Sequence, residues 1–276
     1  MKINYNDMLM MLWNLDENVA VFSDFSKWDL NEDNLIIEAK KEGKKVILIN
    51  KENNNLLYTI PTKGMEIKAS KANADLVVWY GFNEQFDYEL IKNNLNITKA
   101  FVFDNNIDLE RIKKAFSFEI FIMKYDNSLN ELTKKSNIAL REGKFKDYQK
   151  INNFNYSFSG FVSQGNQLGR TIGYPTANII VDNHLILKPG VYVTKVKLPS
   201  FDQQLQGISV YWTNKQGISV FETYILDFEQ DIYGWGIEIE MLYFIRESIE
   251  VKDFNHLKKL LNEDKKFAIN YFKGEK

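Results

Sequence analysis

The chain has 276 residues, 45% of them hydrophobic, with 35 Lys and Arg against 37 Asp and Glu for a formal net charge of −2. That length holds two domains of ordinary size, each with apolar side chains enough for its own core. The near-neutral balance leaves no electrostatic footprint for nucleic acid or an anionic membrane, and the absence of cysteine excludes disulfides, thiolate metal sites and a cysteine nucleophile. The first residues are polar and include an acid, unlike a secretory signal, and the apolar run at 8–13 is too short to span a bilayer. A soluble cytoplasmic protein is expected.

Strand-length apolar runs at 18–22, 45–50, 75–80, 99–104 and 119–124 alternate with helical patterns at 32–42, 84–93 and 109–116. This alternation predicts a parallel sheet covered on both faces. Residues 126–150 are polar, with a helical segment over 136–141 closed by Gly143, and read as the tail of the first domain and a link. Composition then changes, since ten of the fourteen glycines and three of the four prolines lie beyond 150. Alternating patterns at 190–198, 206–212, 220–226 and 236–245, with turns between, predict a small antiparallel barrel. Leu257, Leu260, Leu261, Phe267, Ala268 and Tyr271 fall near helical spacing, so 254–272 is expected to pack as a helix on it. The fold class is α/β plus β, divided as 1–149 and 150–276.

The densest chemistry lies at 160–178, where Gly160, Gly165, Gly169 and Gly173 fall within fourteen residues and Pro175-Thr176-Ala177-Asn178 follows. Glycine lets a main chain approach a ligand closely, and successive N–H groups in such a turn form a concave anion site. Arg170 adds a guanidinium fork suited to phosphate oxygens. Thr176 and Asn178 add neutral oxygens that Mg²⁺ accepts beside phosphate and water. Two readings stay open on the residues alone: a loop that holds a nucleotide polyphosphate with its metal, and a glycine-rich hairpin pair in an all-β domain.

The stretch resembles the motif of the riboflavin kinase family, G-x-V-x-x-G-x-x-x-G-R-x-x-G-x-P-T-A-N, at all ten fixed positions. The resemblance continues through Gly190-Val191-Tyr192, Glu222-Thr223-Tyr224-Ile225-Leu226-Asp227-Phe228, Asp231-Ile232-Tyr233-Gly234 and Ile245-Arg246-Glu247, over about 150–272. The whole chain is similar to the bacterial two-domain proteins in which a Rossmann-like adenylyltransferase domain, an FAD synthetase, precedes this kinase. The resemblance implies a six-stranded Greek-key barrel with a C-terminal helix, and ATP and riboflavin as substrates. It implies Thr176 and Asn178 on Mg²⁺-nucleotide, Gly160, Gly165, Gly169 and Arg170 at the nucleotide, Glu222 as catalytic base and Arg246 at the flavin. Tyr174 and Pro175 read as structural. Ile208-Ser209-Val210-Tyr211-Trp212 stands where the family has an Asn-Ile-Gly segment, and Ser248-Ile249-Glu250-Val251 replaces Glu-x-Lys-Phe. Both changes touch the walls of the expected flavin pocket.

The first domain departs further. The family's first strand runs into G-x-F-D-G-x-H-x-G-H, whose histidines meet the triphosphate. Here residues 23–32 put Asp29 and Glu32 at those positions, and the chain's two histidines, His184 and His256, lie in the second half. The family's S-S-T-x-I-R signature has become Lys134-Lys135-Ser136-Asn137-Ile138-Ala139, with Ala139, or Asn137 in the other alignment, in the arginine's place. Two acids repel a triphosphate, so the expectation is a riboflavin kinase making FMN, with adenylyl transfer lost. Set against it are an inactive flavin- or nucleotide-binding regulator and a bifunctional enzyme with a rebuilt adenylyltransferase site. No protein partner is implied.

Overall fold

The structure is a computed structural model that describes residues 2–4, 17–51, 59–80, 86–117, 119–165, 169, 173–180, 185–213 and 219–274. It divides into two compact units, Met1–Lys134 and Lys135–Lys276.

The first unit is built on a six-stranded sheet of β1 (Lys2–Asn4), β2 (Asn18–Ser23), β3 (Lys45–Lys51), β4 (Leu76–Tyr80), β5 (Ile97–Phe103) and β6 (Ile120–Met123). Its spatial order is β1-β4-β3-β2-β5-β6, and every pairing is parallel. Val19, Ala20 and Val21 are wholly buried, as a central strand covered on both faces requires. The helices are α1 (Leu30–Lys40), α2 (Thr62–Lys71), α3 (Tyr88–Asn94) and α4 (Leu109–Phe116). From β2 the chain builds outward through β3 and β4, then returns to β2's other side with β5. The strand order therefore reverses between β2 and β5, and the crevice at their carboxyl ends is where such sheets bind ligands.

The helix α5 (Glu131–Arg141) spans the division between the units, and α6 (Phe145–Asn152) follows in the second. The boundary expected near 150 falls inside α6, whose side chains are committed to the second unit. Phe145 meets the Tyr192 ring edge-on at 5.8 Å, and Tyr148 packs between Phe154 and Tyr156.

Six antiparallel strands close the barrel: β7 (Ser157–Ser163), β8 (Thr176–Ile180), β9 (Gly190–Lys197), β10 (Leu205–Thr213), β11 (Ser219–Ile225) and β12 (Gly236–Arg246). Their order around it is β10-β11-β8-β7-β12-β9. Phe158, Tyr211 and Phe221 fill the interior from alternate positions, with Phe158 and Phe221 edge-to-face at 4.9 Å. Buried hydroxyls join them: Ser209 Oγ lies 2.8 Å from both Thr194 Oγ1 and Thr223 Oγ1, and all three residues are wholly buried. The final helix, α7 (Phe254–Lys273), is capped by Asp253 and ends at Gly274 in the left-handed region, φ 77°. Its Ala268 joins Val191, Val193, Ile208 and Leu226 in the core on the barrel's outer face. Among the described residues no helix is long and apolar enough to cross a membrane.

Candidate active site

Of the two readings left open for the glycine-rich stretch, the hairpin describes its arms. These are strands, β7 and β8, paired from Phe161↔Ile180 to Ser163↔Asn178. Gly160 is buried within β7, where a Cβ would fall 2.4 Å from the Ile180 carbonyl oxygen. Its place is a close strand contact, and it lines neither cavity described below. At Gly165 a Cβ would lie 1.6 Å from Asn178 Nδ2, and at Gly169 one would lie 2.1 Å from the Tyr174 carbonyl oxygen. Arg170 and His184 lie outside the described residues.

Antiparallel pairing decides which side chains meet. Glu222 is directly opposite Asn178, and Tyr224 is opposite Thr176, so all four share the barrel's outer face. Thr176 Oγ1 donates to Glu222 Oε2 at 3.1 Å. On the other side of β11, Val210 is Glu222's partner. The site is thus a row across three strands, Val210, Glu222 and Asn178, with Thr176 diagonal to the carboxylate.

Two cavities adjoin this row. The larger, about 450 Å³, is walled mainly by apolar side chains of β10 and α7, including Val210, Trp212, Leu257 and Leu260, with Glu222 and Thr176 as polar points. The smaller, about 350 Å³, lies among Pro175, Thr176, Ala177, Thr223, Phe228 and Tyr233, with Glu229 and Asp231 also lining it. Thr176 lines both, while Glu222 lines only the larger.

Arg246 also lines the larger cavity, but its fork is turned onto Asp264 of α7. Nε donates to Oδ1 at 2.9 Å and Nη2 to Oδ2 at 2.7 Å, while Nη1 donates to the Glu247 carbonyl at 3.0 Å. Bidentate geometry makes this a strong pair, and it pins the helix against the end of β12. Tyr174, read as structural, is buried and donates its hydroxyl to Asn262 Oδ1 at 2.6 Å, a second tie from α7 to the site. Sequence reasoning missed Asp264 and Asn262. The available sign was an acid at 264, one turn beyond Leu260 and Leu261 on the helix's apolar stripe.

In the first unit, two buried acids follow the carboxyl end of β2. Asp29, wholly buried, caps α1 through a reciprocal capping box with Glu32. Its Oδ1 accepts from Leu30 N and its Oδ2 from Thr133 N in the first turn of α5, both at 2.8 Å. One carboxylate therefore occupies the anion-attracting N-termini of two helices. Glu32, 2% exposed, accepts from Asp29 N at 2.8 Å and from Ser23 Oγ at 3.1 Å. Asn31 ties in Asp126 and Asn130. Burial lowers the Lys68 ammonium's pKa, and nearby Asp33, Asp29 and Glu32 oppose that shift.

Burial pushes the Glu32 carboxyl up to about 7, against hydrogen bonds from Asp29, its own backbone and Ser23 that lower it. The fold thus keeps a proton that the unfolded chain releases near 4.5. The associated stability is complete below that pH and is lost as pH rises through about 7, a change on the order of 3 kcal/mol at 1.36 kcal/mol per unit. Glu32→Gln, which resembles the protonated acid, is expected to melt higher than wild type at pH 8 and equally at pH 4.5. Thermal melts at the two pH values check this; equal wild-type and variant melting temperatures at both contradict it.

Comparison with known proteins bears on both units. Residues 152–272 match the family model described as Flavokinase: Riboflavin kinase. A trifunctional protein RibF/MnmA of Mycoplasmoides gallisepticum is 32% identical over 219 residues, 70% of this chain and 32% of that protein. A bifunctional riboflavin kinase/FMN adenylyltransferase of Buchnera aphidicola subsp. Acyrthosiphon pisum is 28% identical over 229 residues, 74% of this chain and 73% of the relative. A protein of the same description from Listeria monocytogenes is 31% identical over 161 residues, 56% of this chain and 51% of its own. The chain thus spans from about a third to about three quarters of these relatives' lengths. The crystal structure titled macrolide-efflux protein from Streptococcus pneumoniae superposes with a TM-score of 0.62 at 21% identity, covering 98% of this chain and 99% of that one, a likeness of fold alone. Residues 152–272, in which the motif's strand Thr176–Ile180 pairs with the strand carrying Glu222, thus form a domain of the riboflavin kinase family.

Proposed function

We propose that the chain transfers the terminal phosphoryl group of ATP to the 5′-hydroxyl of riboflavin, giving FMN and ADP, and that FMN adenylyl transfer has been lost. The observation that carries the kinase reading is Thr176, which is bonded to Glu222 and lines both cavities. The large apolar cavity suits a flavin ring, and the smaller suits the nucleotide, so donor and acceptor meet at this residue. Glu222, facing the acceptor's side, takes the proton of the attacking 5′-hydroxyl. As the oxygen bonds to the terminal phosphorus, the bond to the bridging oxygen breaks and ADP leaves. Positioning and charge stabilisation supply most of the acceleration.

Thr176 and Asn178 would hold Mg²⁺ with the nucleotide. Their hydroxyl and amide oxygens are hard and neutral, and no group of three or more His, Cys, Asp or Glu among the described residues offers a rival metal site. When bound, the ion neutralises charge on the phosphate oxygens. Backbone at Gly165 and Gly169, together with Arg170, cradles the phosphates; Arg246 shapes the flavin pocket by holding α7 in place.

For the first unit, the buried Asp29 and Glu32 support loss of adenylyl transfer. Both carboxylates are committed to the protein's own helix ends and backbone, in the crevice where a triphosphate belongs. Product analysis tests the kinase reading. Riboflavin, ATP and Mg²⁺ are expected to give FMN and ADP in equal amounts, with turnover stopped by a chelator. No FMN from the folded full-length chain overturns the reading.

A further inference from the structure

The outer face of β10 carries Ile208, Val210 and Trp212 at alternate positions. They open toward solvent in that order: Ile208 is 7% exposed, Val210 is half-buried and Trp212 is 37% exposed. Val210 is opposite Glu222, whereas Trp212 pairs with Val220, two residues further along. At the rise of a strand, that sets the indole's attachment about 7 Å from the reacting row. Trp212 lines the larger cavity, and among the described residues its indole has neither a ring partner nor a hydrogen bond. The neighbouring aromatics are already used: Tyr174 and Tyr224 pack on each other at 5.1 Å. Leu257, Leu260 and Leu261 of α7 line the same cavity, giving it an aliphatic wall. A wide flat side chain left half open on the rim of an apolar cavity marks a place for a ligand.

We propose that Trp212 is the residue on which the acceptor's isoalloxazine ring stacks, with the leucines of α7 covering its other face. The inference rests on the kinase reading of the site. Riboflavin's geometry fits it. Its reacting hydroxyl and its ring stand at opposite ends of a five-carbon polyol, whose extended length is comparable to the offset between Glu222 and Trp212. Bulk at 212 then selects acceptors by the size and flatness of their ring, independently of the nucleotide.

The test uses the full-length wild type, Trp212→Phe and Trp212→Ala. Quenching of riboflavin fluorescence reads stacking, and KM and kcat are measured for riboflavin and ATP. Loss of one aromatic stack is expected to raise the riboflavin KM of Trp212→Ala about tenfold. Its kcat and ATP KM stay within about twofold, and quenching is largely lost. Trp212→Phe keeps most of the affinity, which separates loss of a ring from loss of fold. Wild-type quenching and riboflavin KM in Trp212→Ala overturn the proposal, as does a rise in ATP KM alone. Wild type that neither quenches riboflavin nor makes FMN overturns the kinase reading itself, and this inference with it.

Discussion

The Glu222→Gln variant is expected to lose about 10²–10⁴-fold in kcat for riboflavin phosphorylation while nucleotide affinity is retained, the usual cost of removing a positioned general base. The substitution is conservative in shape. A glutamine carbonyl can still accept from Thr176 Oγ1, as the carboxylate does at 3.1 Å, so the row across β8, β10 and β11 keeps its geometry. Only the capacity to take a proton is lost. Glu222 lines the larger cavity but not the smaller, so the ATP KM should change by less than about threefold. Steady-state kinetics at saturating Mg²⁺ read both constants. A kcat within twofold of wild type removes Glu222 from its role, and a large rise in ATP KM moves it to the nucleotide side.

Gly165→Ala has the second large effect. The added Cβ would lie 1.6 Å from Asn178 Nδ2 and 2.4 Å from its Cγ. That amide is the end of a movable side chain, so the fold survives while Asn178 swings out of the row it shares with Glu222. A displacement of about 1 Å in a positioning group can cost about 10²-fold in rate, and kcat/KM for ATP is expected to fall by that order with little change in melting temperature. Gly236→Ala is the control, since a Cβ there meets only Phe161 ring carbons at 3.5 and 3.8 Å. Equal activity in Gly165→Ala and Gly236→Ala would remove Asn178 from the mechanism.

The fold was largely legible. Five of the six parallel strands are apolar runs readable at strand length, and the last four barrel strands alternate as a half-buried sheet must. The elements missed have physical reasons. The strand β1 is three residues long. α2 has little apolar periodicity and carries Pro61 and Gly64, which read as breakers although Pro61 stands at the cap. The helix expected at 84–93 begins at Tyr88 because Asp87 caps it there, its Oδ1 accepting from Glu89 N and Leu90 N. α6 lies inside a polar stretch, where the helical spacing of its buried Phe145, Tyr148 and Asn152 is the only sign of it.

The site was legible only as residue types. Strand register is a long-range property, so nothing local to Glu222 announces that Asn178 lies opposite it. Arg246, which the resemblance places at the flavin, lines the larger cavity and turns its fork to Asp264, eighteen residues ahead on another element. In the first unit the acids at 29 and 32 were read as repelling a phosphate. The structure adds that Asp29 stands between the ends of two helices and that Glu32 completes the capping box of α1.

The most direct measurement is a time course with the full-length chain, riboflavin, excess ATP and Mg²⁺, with riboflavin, FMN and FAD resolved chromatographically until riboflavin is exhausted. The account predicts that FMN accumulates to the full amount of riboflavin supplied and that FAD never forms, even when FMN and ATP remain together for many turnover times. FAD arising from that FMN would contradict the account of the first unit, and riboflavin left unchanged would contradict the account of the second.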